Sequence, residues 1–236
     1  MKQIDVCLSP ELIHLYPLEN SIVVVVDIFR ATSCMVTAFA HGVGSIIPVA
    51  KVEECAQYQS MGYLAAAERD AHKIEGFDLD NSPFSYMEPY LAGKTIAMTT
   101  TNGTLAITKS KSAVKVLVGA FLNLEAISNY LKTQPYDVLI HCAGWKGKPN
   151  LEDTLFAGAL VDFLKDDYII AEDTAMMAQK LYVLKKDKLV SAVASSSHVK
   201  RLQRLGIQKD IIFCLEKNKY NVVPVLRGNA LVKIEG

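Results

Sequence analysis

The chain has no stretch approaching the ~18 consecutive apolar residues of a membrane-spanning helix. Its start, M-K-Q-I-D-V-C-L-S-P, lacks the apolar core of a signal peptide. Both absences lead us to expect a cytoplasmic protein with no membrane partner. Net charge is also missing, with 25 Lys+Arg set against 25 Asp+Glu. That balance leaves no electrostatic footprint for a nucleic-acid partner, so any anion site has to be built locally. The five cysteines are an odd number and show no C-x-x-C spacing, which excludes a zinc ribbon and a secreted disulfide framework. No low-complexity linker and no internal repeat divides the 236 residues.

What is present is a core. Half of the residues are hydrophobic, enough for a large folded unit rather than a disordered chain. Five apolar β-formers at 22–26 read as a strand buried on both faces. A helix follows at 32–41, closed by Gly42. Further strands are expected at 3–8, 45–49, 63–67, 95–99, 114–120 and 136–142, with helices at 52–59, 103–109, 124–131 and 151–164. Helices at 171–184 and 195–205 and short strands at 211–215, 222–226 and 231–234 complete the reading. This β-α rhythm implies an α/β fold with a mainly parallel sheet flanked by helices. It forms either one unit over 1–236 or two closely packed lobes of about 1–120 and 121–236.

In such sheets ligands bind beyond the carboxyl ends of the strands, and four strand exits here carry polar clusters. The first is Asp27-x-x-Arg30-x-Thr32-Ser33. Arg30 can grip two phosphate oxygens in a fork, with Thr32, Ser33 and the helix-start amides as further donors. The second is the turn Thr101-Asn102-Gly103, where the glycine lets backbone approach a ligand. The third, A-G-W-K-G-K-P, offers Lys146 and Lys148. The fourth is the loop E-R-D-A-H-K-I-E-G-F-D-L-D-N-S-P at 68–83, whose Ile74, Phe77 and Leu79 suit an ordered loop better than a solvated charge run. Asp27, Asp78 and Glu152 are candidate carboxylate ligands for Mg²⁺, a hard ion that takes one or two carboxylates plus water and substrate oxygens. Glu152-Asp153 fits helix capping equally well. The histidines have no metal-like spacing and read as structural or surface residues.

Three familiar phosphate-handling patterns fail. Phe29 stands where a second aspartate of Asp-x-Asp belongs, Lys148 stands where Cys142-x5-Arg needs its arginine, and no Walker loop is present. Instead V-V-D-I-F-R-A-T-S, K-I-E-G-F-D-L-D-N-S-P, T-T-T-N-G-T and C-A-G-W-K-G with L-E-D-T closely resemble the 2-phosphosulfolactate phosphatase family. The resemblance implies a magnesium-dependent phosphatase. It would hydrolyse 2-phospho-3-sulfolactate to 3-sulfolactate and phosphate, a step associated with coenzyme M biosynthesis. The alternatives are a same-fold phosphatase for another small 2-phospho acid and a non-catalytic phosphate-binding module. A small polyanionic substrate would draw on Arg30, Arg69, Lys73, Lys146 and Lys148. Asp27 would bind Mg²⁺, with Glu75 or Asp153 as general base or second ligand. The attacker would be water or a side chain, Asp27 or Cys142. The resemblance also admits a homodimer.

Overall fold

The computed structural model describes residues 2–69 and 72–234. The first strand is β1 (Gln3–Cys7). The valine run forms β2 (Ser21–Val26), buried along its whole length. It lies between two parallel neighbours, β7 (Lys115–Gly119) and β8 (Asp137–Cys142). A strand hydrogen-bonded on both edges and covered on both faces has no position for a polar side chain, hence the unbroken run. β1 pairs with β8, and β9 (Ile169–Ile170) extends that side. A second parallel block holds β3 (Ser45–Pro48), β6 (Thr95–Thr99) and β4 (Leu64–Arg69), with the short β5 (His72–Lys73) folded back on β4.

The two blocks are joined by the carboxy-terminal hairpin of β10 (Pro224–Arg227) and β11 (Ala230–Lys233). β10 pairs antiparallel to β7, and β11 pairs antiparallel to β3. The sheet order is β5-β4-β6-β3-β11-β10-β7-β2-β8-β1-β9. Passing through the hairpin reverses direction at each pairing, so the blocks run in opposite senses. Strands from before and after residue 120 interleave in β7-β2-β8-β1. The fold is α/β, as expected, but mixed at the join.

Between strands run α1 (Ala31–Ala40), α2 (Val52–Ser60), α3 (Gly103–Lys109), α4 (Leu124–Lys132) and α5 (Leu151–Leu164). Residues 31–39 of α1 are all buried. A helix apolar on every side belongs in the centre of a core, and α1 touches β7, β10 and α3. α6 (Asp173–Lys185) packs on α5 so closely that a methyl on Gly158 would lie 1.9 Å from the Ala178 carbonyl. The chain ends its helical part with α7 (Leu189–Val193), α8 (Ser197–Arg204) and α9 (Gln208–Cys214).

α9 corrects one expectation. Residues 211–215 read as a strand but form the end of a helix, with Asp210 in its first turn and Ile211, Phe213 and Cys214 buried. A short apolar run cannot distinguish the two periodicities. Among the described residues, no helix is long and apolar enough to cross a membrane.

Candidate active site

The site begins where β2 ends. Asp27 and Ile28 lead into α1 through a junction fixed by the next two hydroxyls. The Thr32 hydroxyl donates to the Asp27 carbonyl at 2.9 Å and accepts from the Asp27 amide at 3.0 Å. The Ser33 hydroxyl donates to the Ile28 carbonyl at 2.9 Å. Both side chains are 0% exposed, so Thr32 and Ser33, expected as phosphate donors, instead hold the backbone that aims Asp27. Arg30 is also buried; its Nη1 meets Asp210 Oδ2 at 2.5 Å. That pair ties α9 to the start of α1.

The exit of β8 is bound to the same junction through α5. Asn150 caps that helix by accepting from the Asp153 amide at 3.0 Å. The Asp153 carboxyl accepts from the Ile28 amide at 2.8 Å with one oxygen and from the Gly144 amide at 3.1 Å with the other. Asp153 therefore clamps two strand exits together. Both of its oxygens serve this clamp, and its placement is that of an organiser.

Glu152 is 0% exposed. Its Oε1 lies 2.6 Å from His198 Nδ1, while its Oε2 is buried with no hydrogen-bond partner. His198 comes from α8 and stacks on Trp145, with centroids 5.7 Å apart and planes 7° from parallel. The Phe29 ring meets His198 edge-on at 6.2 Å. β6 contributes Gly103: a Cβ there would lie 3.0 Å from Asp27 Oδ2 and 2.7 Å from the Ala31 Cβ. β4 contributes Glu68, whose charge acts on Asp27 and whose Oε2 accepts from Asn81 at 3.1 Å. Four strand exits from two opposed blocks thus meet at one carboxylate.

Crowding sets the electrostatics. Burial pushes the Asp27 carboxyl up to about 7; the neighbouring His198 draws it down, and Glu68 and Glu152 raise it further. Asp153 is raised well above the usual carboxylate range by burial and by the Asp27 and Glu152 charges, partly offset by the Ile28 amide. Burial likewise lifts the Cys142 thiol, with Asp153 adding to it, which keeps this 0% exposed sulfur protonated and out of reach as a nucleophile. His198 lines a cleft of about 490 Å³ together with Trp145, Lys146 and Lys148, and Glu152 lies buried at its wall.

This centre lies within a stretch of the chain that matches a known family. Residues 7–229 match the family described as 2-phosphosulpholactate phosphatase. The chain belongs to that family. A protein of Thermotoga petrophila named as a probable 2-phosphosulfolactate phosphatase is 40% identical over 229 residues, covering 97% of both chains. One from Caldanaerobacter subterraneus with the same name is 40% identical over 222 residues, covering 92% of this chain and 91% of its own. A Clostridium botulinum protein, again so named, is 35% identical over 238 residues, covering 98% of this chain and 100% of its own. As a member of the 2-phosphosulfolactate phosphatase family, the chain is a phosphoric monoester hydrolase.

Not every residue singled out in the family motifs reaches the centre. Glu75 is exposed, and Lys73 donates to the Asp78 carbonyl at 2.8 Å. Asp78 accepts from the Ala65 amide at 2.8 Å and the Gln59 amide group at 3.0 Å. It fastens its loop to β4 and is not gathered with Asp27, against its expected role as a metal ligand. Arg69 ends β4, and its side chain lies outside the described residues. Thr101 is exposed and Asn102 partly so, at the lip of the turn whose Gly103 abuts Asp27. The sequence reading missed His198. A lone histidine some 170 residues from Asp27 offers no spacing signal, and its partners are supplied by tertiary structure alone.

The tight approach of Gly103 gives a direct test. Gly103→Ala must displace either Asp27 or the first turn of α1. We expect kcat to fall by about tenfold or more and stability to drop by roughly 1–3 kcal/mol. Steady-state kinetics and urea unfolding check it, and wild-type values in both would show that the close contact is idle.

Proposed function

We propose that the chain is a magnesium-dependent cytoplasmic phosphatase that hydrolyses 2-phospho-3-sulfolactate to 3-sulfolactate and phosphate, supplying coenzyme M biosynthesis. The observation that carries this reading is the buried carboxylate pair of Asp27 and Glu152, with Glu152 Oε2 unpartnered, of which Glu152 stands with His198 at the wall of a cleft bearing two lysines.

The donor set suits a hard divalent cation. Among the described residues no three His, Cys, Asp or Glu side chains form a ready-made cage. Mg²⁺ characteristically accepts one or two carboxylates and takes water and phosphate oxygens for the rest. Asp27 and Glu152 would hold it, because an unpaired buried carboxylate oxygen and a carboxyl crowded by like charges both gain from a cation. When bound, the ion neutralises phosphate charge and makes a water more nucleophilic. Asp153 keeps the exits of β2 and β8 in register. Arg30, immobilised by Asp210, fixes a positive charge at the start of α1 for the phosphoryl oxygens. His198, oriented through Nδ1 by Glu152, faces the cleft and can deliver a proton from Nε2 to the departing C2 oxygen. Water then supplies the oxygen gained by phosphate, and the ester P–O bond breaks.

The experiment is release of inorganic phosphate from 2-phospho-3-sulfolactate and from a panel of other 2-phospho acids, with Mg²⁺ and with EDTA. Mg²⁺-dependent release that is highest on phosphosulfolactate is expected. Higher rates on another 2-phospho acid would reassign the substrate, and no release from any would favour a binding module.

A further inference from the structure

At the other end of α1 from Arg30, an open pocket of about 690 Å³ lies between α9 and the single helical turn Pro83–Tyr86. Phe84, Met87, Ile212 and Phe213 supply its apolar wall. Phe84 is 42% and Ile212 52% exposed, although the Phe84 and Phe213 rings lie 5.1 Å apart. α9 turns Asp210, Ile211 and Cys214 inward, so an isoleucine on its outer face has no core to serve. One cation at the rim already has a partner. Lys219 reaches Glu216 at 2.6 Å, with its Nζ 4.9 Å from the centre of the Phe213 ring. Lys209, on the same rim, is exposed and makes no ion pair among the described residues. His41, the residue that caps the end of α1, lines the pocket as well.

We propose that this pocket binds a small apolar acid, an aromatic or branched-chain body carrying one carboxylate, and that α9 conveys its occupancy to Arg30. Volume and lining are those of a small-molecule site, largely apolar with a few polar groups that fix orientation. An aromatic ring or branched chain covers Phe84 and Ile212 and takes their apolar surface out of water. Because Glu216 neutralises Lys219, Lys209 leaves the rim with one uncompensated positive charge, which a carboxylate matches and an amine opposes. The pocket is separate from the carboxylate centre. α1 runs between them for ten residues, about 15 Å, from Arg30 before its start to His41 after its end. α9 provides the connection. Its outer face lines the pocket through Lys209, Ile212 and Phe213, and its inner face holds Arg30 through Asp210. A body lodged against Phe84 and Ile212 fits one position of α9 best, so binding biases that position and with it the salt bridge.

The test titrates 3-phenylpropionate, and its uncharged analogue 3-phenylpropanol, into the full chain and follows the methyl resonances of Met87 and Ile212 and the Nε–H resonance of Arg30. No turnover is needed, so the outcome is independent of the phosphatase reading. Both methyls should shift saturably, the acid should bind about threefold or more tighter than the alcohol, and the Arg30 signal should move with the same midpoint. Two variants at exposed positions, which leave the core intact, separate the parts. Lys209→Gln should bring the acid down to the affinity of the alcohol, and Phe84→Ala should weaken both ligands. Equal affinities for acid and alcohol in the wild type, shifts confined to the 145–148 turn, or an Arg30 signal that ignores the ligand would each overturn the proposal. Sedimentation covers the other occupant. A wild-type dimer that Phe84→Ala dissociates would give the pocket to a second copy of the chain and overturn the small-acid site.

Discussion

Asp27→Asn is expected to abolish turnover, by about a thousandfold or more, and at the same time to make the metal-free protein more stable at neutral pH. The first effect follows from removing the charge on which four strand exits converge. The second follows from the cost of that charge. The Asp27 carboxyl moves from 3.8 in the open chain to about 7 in the fold, because burial and the Glu68 and Glu152 charges oppose its ionisation. Between those values the folded protein retains a proton on Asp27 that the unfolded chain releases, so the Asp27 contribution to stability is most favourable below about 3.8 and declines as pH rises towards 7. Asn carries no charge and escapes the decline. The stability difference between variant and wild type in EDTA should therefore be small near pH 4 and grow with pH. By pH 7.5 it should reach roughly 4 kcal/mol in favour of the variant. Urea unfolding across that pH range measures it, and Mg²⁺ should narrow the gap by stabilising the wild type alone. An Asn variant that still turns over, or is less stable than wild type at pH 7.5, would remove Asp27 from the centre.

This trade explains why part of the site was readable from the sequence and part was not. Asp27 stood out because a carboxylate directly after five buried β-formers has no packing reason to be there. Gly103 stood out because a turn glycine before a helix permits close approach. These are local violations of pattern, visible without a fold. Thr32 and Ser33 looked like ligands for the same reason, yet their hydroxyls complete hydrogen bonds to Asp27 and Ile28. A hydroxyl at a helix start fits either role until its partner is seen. Glu75 and Asp78 came from a motif whose charged residues serve the loop itself. His198 lies on a helix far along the chain, and what makes it part of the site is a carboxylate from α5 and an indole from the β8 exit. The strands were read from their valines and isoleucines, but their joining into two opposed parallel blocks was not, because a hairpin inserted between β3 and β7 leaves no trace in either strand. The apolar run of α9 was misread because so short a run fits a strand and a helix equally well.

Arg30→Ala should be the most destabilising of the site substitutions, costing about 3–5 kcal/mol. The Arg30 and Asp210 side chains are 5% and 11% exposed, so truncating the arginine strands a carboxylate away from water with nothing to offset its charge. The loss is partly recoverable. Combining Arg30→Met with Asp210→Leu removes both charges and fills much of the volume, and should restore at least half of the stability lost by Arg30→Ala. Urea unfolding of the single and double variants separates the pair's coupling from the packing of either residue. Single and double losses that simply add would mean the two side chains are energetically independent. Under the proposed function, in which the Arg30 charge at the start of α1 serves the phosphoryl oxygens, activity should not return with stability. A stable, folded double variant with full turnover would confine Arg30 to holding α9 in place. A stable double variant without turnover would show that one guanidinium both fastens the last helix to the core and serves the substrate.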